Sequence, residues 1–162
     1  MRSKFYKNER AFFNMSAADR LIEAKNDLKE LGYGIIIYDA YRPWFVTKMF
    51  WEGTPENLKH FVANPENGSS HNKGCAIDIG LYDIETGESI VMISGYDEFT
   101  ERAYPNYMGG SKKQRDIRDM LIQVMERNDF TVYEYEWWHF NYNGCDSGIM
   151  NYSFEELDSI TS

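Results

Sequence analysis

The apolar positions along the chain fall into short runs whose spacing predicts a run of helices and strands. Leu21, Ile22, Leu28 and Leu31 lie near one helical face. They follow Ser16-Ala17-Ala18-Asp19, a hydroxyl with an acid three residues on, which predicts a helix capped by Ser16 and ended by Gly32. Gly34 to Tyr38 is a compact β-branched run and predicts a buried strand. Pro43 suits the first turn of a helix through Val46, Met49 and Phe50. Gly53 to Ser70 is polar and proline-bearing, a loop long enough to suggest a functional role. Ala76 to Tyr82 alternates, with Ile77, Ile79 and Leu81 on one face and Ala76, Asp78 and Gly80 on the other. Glu85 to Glu88 predicts a turn, with Ser89 to Ile93 pairing back as a hairpin. Ser111 predicts the cap of a helix carrying Ile117, Leu121, Val124 and Met125, and Phe130 to Tyr142 is β-prone and aromatic. Without strict strand–helix alternation, these elements predict a single α+β domain over residues 1–162. Its central, mainly antiparallel sheet is flanked by helices.

Composition narrows the partners. The 162 residues are 43% hydrophobic and 27% charged, values of an ordinary globular chain with room for a core. A net charge of −9 argues against nucleic acid, which needs a basic surface. No apolar run is long enough to span a bilayer, and the first fifteen residues lack a signal-peptide core. A cytoplasmic location is expected for the chain as given, with export left open. Cys75 and Cys145 are too few for a disulfide framework, and a single bridge stays open.

Three histidines carry most of the candidate chemistry. His60, beside Lys59 in the polar loop, reads as a solvated side chain. His71 precedes a strand on which Asp78 points away from the apolar face. A buried carboxylate there needs a partner. A metal shared with His71 and a metal-free hydrogen bond satisfy that need equally. Glu136 and His139 are three apart, so on a regular strand they face opposite sides. They meet only if β geometry breaks near Trp137, and that break is expected. His71, Asp78 and His139 together would give zinc three ligands and leave a fourth position for water, as in catalytic sites. Glu136 could then serve as general base. Arg42, between Tyr41 and Pro43 at a strand end, could stabilise an oxyanion, or pair with Asp39.

The segments YDAYRP (38–43), SSHNKGCAID (69–78), GYDEFTERA (95–103) and EWWHF (136–140) resemble, in this order, the D-alanyl-D-alanine dipeptidase family of zinc peptidases. The resemblance runs from Phe12 to Leu157. It implies one zinc ion per chain on His71, Asp78 and His139, with Glu136 as catalytic glutamate and Arg42 as transition-state arginine. It implies substrate contacts at Asp97, for the amino terminus, and at Ser69. The implied substrate is a small peptide, D-Ala-D-Ala or a relative. Longer peptidoglycan stem peptides or cross-links, and an inactive zinc-binding domain, are the alternatives. Family members carry an N-terminal segment that helps to wall the site. Here the first helix is reached by about Ser16, so a trimmed form or a more open pocket is expected. Cys75 stands where a small residue is usual and reads as a small buried side chain.

Overall fold

The computed structural model describes residues 10–161, and the expectation of a trimmed N-terminal segment lies outside the described residues. Four strands form one antiparallel sheet: β1 (Tyr33–Asp39), β2 (Ala76–Asp83), β3 (Phe130–Tyr133) and β4 (Glu136–Tyr142), in the order β1-β2-β4-β3. Helices α1 (Met15–Glu30) and α3 (Lys112–Arg127) pack against the sheet and each other. Helix α2 (Trp44–Gly53) follows β1, and α4 (Phe154–Thr161) lies near the C-terminus. Among the described residues, no helix is long and apolar enough to cross a membrane.

The core gathers Ile77, Ile79 and Leu81 of β2, Trp138 and Phe140 of β4, Leu28 of α1, and Leu121 and Met125 of α3. Each of these large side chains is all but removed from water. Each such burial contributes about 1.5–3 kcal/mol before chain entropy is set against it. Strand β2 is buried on both faces over Ala76–Leu81, so a polar residue there must be satisfied inside the protein.

Helix α3 forms as its pattern requires, with Ser111 and Gln114 in a reciprocal capping box. Elsewhere the structure corrects local detail. The α1 cap is Asn14, whose side chain accepts from the Ser16 and Ala17 amides. Ile22 and Leu31 are half exposed, and Ala17, Ala24 and Leu28 form the buried face of the helix. The run at Gly34–Tyr38 belongs to an edge strand with Ile37 and Tyr38 partly exposed, not to a buried one. Ser89–Ile93 forms no strand and keeps only a Tyr82–Ser89 bridge.

Candidate metal centre and catalytic cleft

The segment before β2 is fixed by its own side chains. Ser69 caps a 3-10 turn over Ser70–Lys73: its Oγ accepts from the His71 amide at 3.2 Å, and its own amide donates to Asn72 Oδ1 at 2.9 Å. Asn72, fully buried, donates from Nδ2 to the Arg42 carbonyl at 2.7 Å and to Thr47 Oγ1 at 2.8 Å. Gly74 leaves the turn at φ 65°, a left-handed conformation that glycine adopts without strain. A bridge from Cys75 to Cys145 then anchors the start of β2, with 5.8 Å between the Cα atoms. Cys75 is buried as expected, but as half of a disulfide.

These constraints aim His71 at the end of the two central strands. There Asp78 of β2 lies directly opposite His139 of β4, so both side chains leave the sheet on one face. His71 Nε2 lies 3.3 Å and His139 Nδ1 3.1 Å from Asp78 Oδ1, and the two ring nitrogens are 3.2 Å apart. Each imidazole turns its other nitrogen to a carbonyl oxygen. His71 Nδ1 is 2.6 Å from the Ala40 carbonyl, and His139 Nε2 is 3.1 Å from Asn141 Oδ1. An oxygen that only accepts requires the N–H on that side, so both lone pairs face Asp78. Asp78 Oδ1 is itself buried without a hydrogen-bond partner.

Three acceptors facing one another fit a cation. Zinc ligands about 2.0–2.1 Å from a tetrahedral ion stand about 3.3 Å apart, close to the separations here. The electrostatics agree. Burial raises the Asp78 pKa, but the adjacent His71 and His139 outweigh it and hold the carboxyl far below its usual range. Burial works against a His139 cation, yet Asp78 outweighs it and raises that pKa. A field that favours a proton on a buried imidazole also favours a metal ion.

Around this triad lies a cleft of about 1180 Å³ whose walls include Glu136, Arg42, Asp97 and Ser69. Glu136 reaches the triad because the pairing of β3 with β4 shifts between Val132 and Tyr133, stepping from Phe140 to Glu136. The strand itself runs on through Trp137, so the expected departure from β geometry is found in the pairing with β3, and Glu136 Oε2 lies 3.8 Å from His139 Nδ1. Burial pushes the Glu136 pKa up to about 8, with Asp78 and Asp97 adding to the rise and His139 and Arg42 opposing it. Arg42 Nη1 is 3.5 Å from Asp39 Oδ2, its guanidinium lies 5.0 Å from the Phe50 ring, and its Nε is buried without a partner. The Asp39 pair and the cleft position therefore coexist. Asp97 sits in a turn at φ 58°, a left-handed conformation that aspartate adopts more readily than most residues other than glycine. His60 is exposed and outside the triad.

Asp39 and Tyr96 also line the cleft, and neither was singled out from the sequence as a site residue in its own right. Burial raises the Asp39 pKa, while His71 and Arg42 oppose it. Its only sequence signal was its place in YDAYRP, just before the arginine.

Known proteins give this chemistry a class. A family model described as D-ala-D-ala dipeptidase, peptidase M15, matches residues 1–158. D-alanyl-D-alanine dipeptidase of Enterococcus faecium is 32% identical over 154 residues, covering 83% of this chain and 75% of that protein. The dipeptidase of Escherichia coli strain K12 is 31% identical, covering 83% of this chain and 68% of that protein. Two solved structures share the fold. The LdcB LD-carboxypeptidase has a TM-score of 0.55 at 19% identity, over 88% of this chain and 65% of the other. VanYB in complex with D-alanine-D-alanine has 0.51 at 11% identity, over 90% and 82%. The chain is a metallopeptidase. It belongs to the D-Ala-D-Ala dipeptidase family, whose members are zinc-dependent.

Proposed function

We propose that this protein hydrolyses a free dipeptide, D-Ala-D-Ala or a close relative, with zinc held by His71, Asp78 and His139 and Glu136 as general base. The observation that carries this reading is the set of three mutually facing acceptor atoms, one of them an orphaned carboxylate oxygen. Bound there, zinc supplies Lewis acidity, which lowers the pKa of a water molecule and polarises a carbonyl oxygen.

The chain's own groups do the rest. Glu136 accepts a proton at its carboxylate and returns it to the departing amine. Arg42, in the cleft wall, turns its guanidinium toward the oxygen that gains charge, while Asp39 holds Nη1. Asp97 takes the substrate's ammonium group. Its fixed charge favours a free ammonium group over an N-blocked peptide, which offers it no cation. Ser69 stands beside the substrate and keeps His71 in register through its cap.

The cleft volume supports a second reading. At about 1180 Å³ it exceeds the usual 300–1,000 Å³ of small-ligand pockets, so longer peptidoglycan stem peptides or cross-links would fit. The Cys75–Cys145 bridge supports work in an oxidising compartment rather than the cytoplasm.

A panel of LL, LD and DD dipeptides, an N-acetylated D-Ala-D-Ala and a stem pentapeptide separates these readings. The expected result is fast cleavage of the free DD dipeptide and none of the N-blocked one. Equal or faster cleavage of the pentapeptide would reject the dipeptidase reading. Glu136→Gln should lower kcat by about 10²–10⁴-fold with zinc retained. Wild type and variant equally inert, both with zinc bound, would instead identify a silent binding domain.

A further inference from the structure

Asp78 has two carboxylate oxygens, and only Oδ1 faces the imidazoles. The other, Oδ2, accepts a hydrogen bond from the Tyr96 hydroxyl at 3.1 Å. Tyr96 sits in the turn that also carries Asp97, outside any helix or strand. Its ring is nevertheless clamped. It stacks on Tyr38 at a centroid distance of 4.4 Å and an interplanar angle of 22°, and meets Trp138 edge-on at 5.6 Å. Tyr38 can take this position because residue 80 is glycine. A Cβ there would lie 2.2 Å from the Tyr38 hydroxyl oxygen. Gly80 and Asp78 share one face of β2, so Gly80, Tyr38, Tyr96 and the Asp78 carboxylate form one continuous line of contacts.

A carboxylate can bind an ion through one oxygen or both, and the choice changes the coordination number and the room left for water. We propose that Tyr96 is a positioning residue for the metal centre: it holds Asp78 Oδ2 away from the ion, so that Asp78 ligates through Oδ1 alone and one coordination position stays free. The proposal rests on Asp78 being a zinc ligand. The phenol suits the task because its hydroxyl donates to the carboxylate without adding charge. Outer hydrogen bonds of this kind typically strengthen metal affinity 10–100-fold.

Tyr96→Phe removes the hydroxyl and keeps the ring. Its zinc Kd, measured by chelator competition, should rise about 10–100-fold. In the cobalt-substituted variant the visible bands should weaken, as four-coordinate geometry gives way to five. A purely structural role would lower the thermal stability of the zinc-free protein and leave Kd and the cobalt spectrum unchanged. Tyr38→Leu, at a residue 39% exposed, is the second variant: it takes away the stacking platform and leaves the hydroxyl. Its Kd should rise too, by less than for Tyr96→Phe. Wild-type Kd and spectrum in both variants, with zinc lost in Asp78→Ala, would overturn the role of Tyr96 alone. Wild-type affinity in Asp78→Ala would overturn the ligand assignment itself.

Discussion

Strand β2 carries two aspartates, Asp78 and Asp83, whose carboxyls both titrate below the ordinary range, for different reasons. At Asp78 burial pushes the pKa up, and the two histidines have to overcome it. At Asp83, partly exposed, the Thr86 and Glu85 amides donate to Oδ1 at 3.0 and 2.9 Å, and with the Thr86 amide foremost they outweigh burial. Asp83 spends its charge closing a turn, whereas Asp78 keeps an oxygen that no hydrogen bond satisfies. A low pKa therefore marks a candidate site only where burial has been overcome and a polar atom is still unsatisfied.

The severest test of that contrast is to delete each carboxylate in turn. Asp78→Ala should abolish stoichiometric zinc, measured by elemental analysis, and lower kcat/KM on the order of 10³-fold or more. Asp83→Ala should keep full zinc and wild-type turnover. Zinc retained in the first, or lost in the second, would erase the distinction.

A smaller effect is expected one strand away. Asp39 lies opposite Asp78 in the β1–β2 register but is raised, by burial that His71 and Arg42 only partly offset. Its partner Arg42 has a buried Nε that a lysine cannot reproduce. Arg42→Lys should lower kcat about 10²-fold with zinc affinity unchanged. A rise in KM alone would move Arg42 to substrate binding.

The two ends of β2 also differ in what holds them. The site end follows Cys75, tied to Cys145 across 70 residues, and the segment beyond Cys145 straps the same region. Ser147 Oγ accepts from Asn14 Nδ2 at 2.8 Å, and the Met150 amide donates to the Asn72 carbonyl at 2.9 Å. Cys145→Ser should cost about 2–4 kcal/mol by denaturant midpoint. Turnover at room temperature should stay close to wild type, because Asn72 and the Ser69 cap still orient His71. An unchanged midpoint would show that the strap holds without its covalent link.

How much of this was legible in the sequence depended on the range of the contacts. Helix α3 was readable because its capping box and apolar stripe are local. The triad was readable because histidines are few, because alternation in β2 put Asp78 opposite the apolar face, and because of the family resemblance. The edge position of β1 was not, since Gly34–Tyr38 is as apolar as a central strand and only the pairing order shows what lies beside it. Ser16 looked like the α1 cap because the Asn14 side chain reaches into the first turn from two positions earlier. Tyr96, the Asn72 contacts to Arg42 and Thr47, and the strap after Cys145 join residues far apart in the chain. No spacing rule reports those contacts.

The smallest effect belongs to Asp83 and is a matter of sign. Its folded pKa lies below the unfolded value, so its contribution to stability is complete above the unfolded pKa, near 3.9 for aspartate, and fades as pH falls through the lower folded value. Asp83→Asn should therefore be less stable than wild type by a small, constant margin above about pH 5. That margin should shrink steadily as the pH is lowered below about 4. Thermal unfolding of the two proteins, compared point by point across this range, reads the difference directly. A margin that widened on acidification would mean that the turn prefers the protonated carboxyl, and the amides at Glu85 and Thr86 could not then be what lowers the pKa of Asp83.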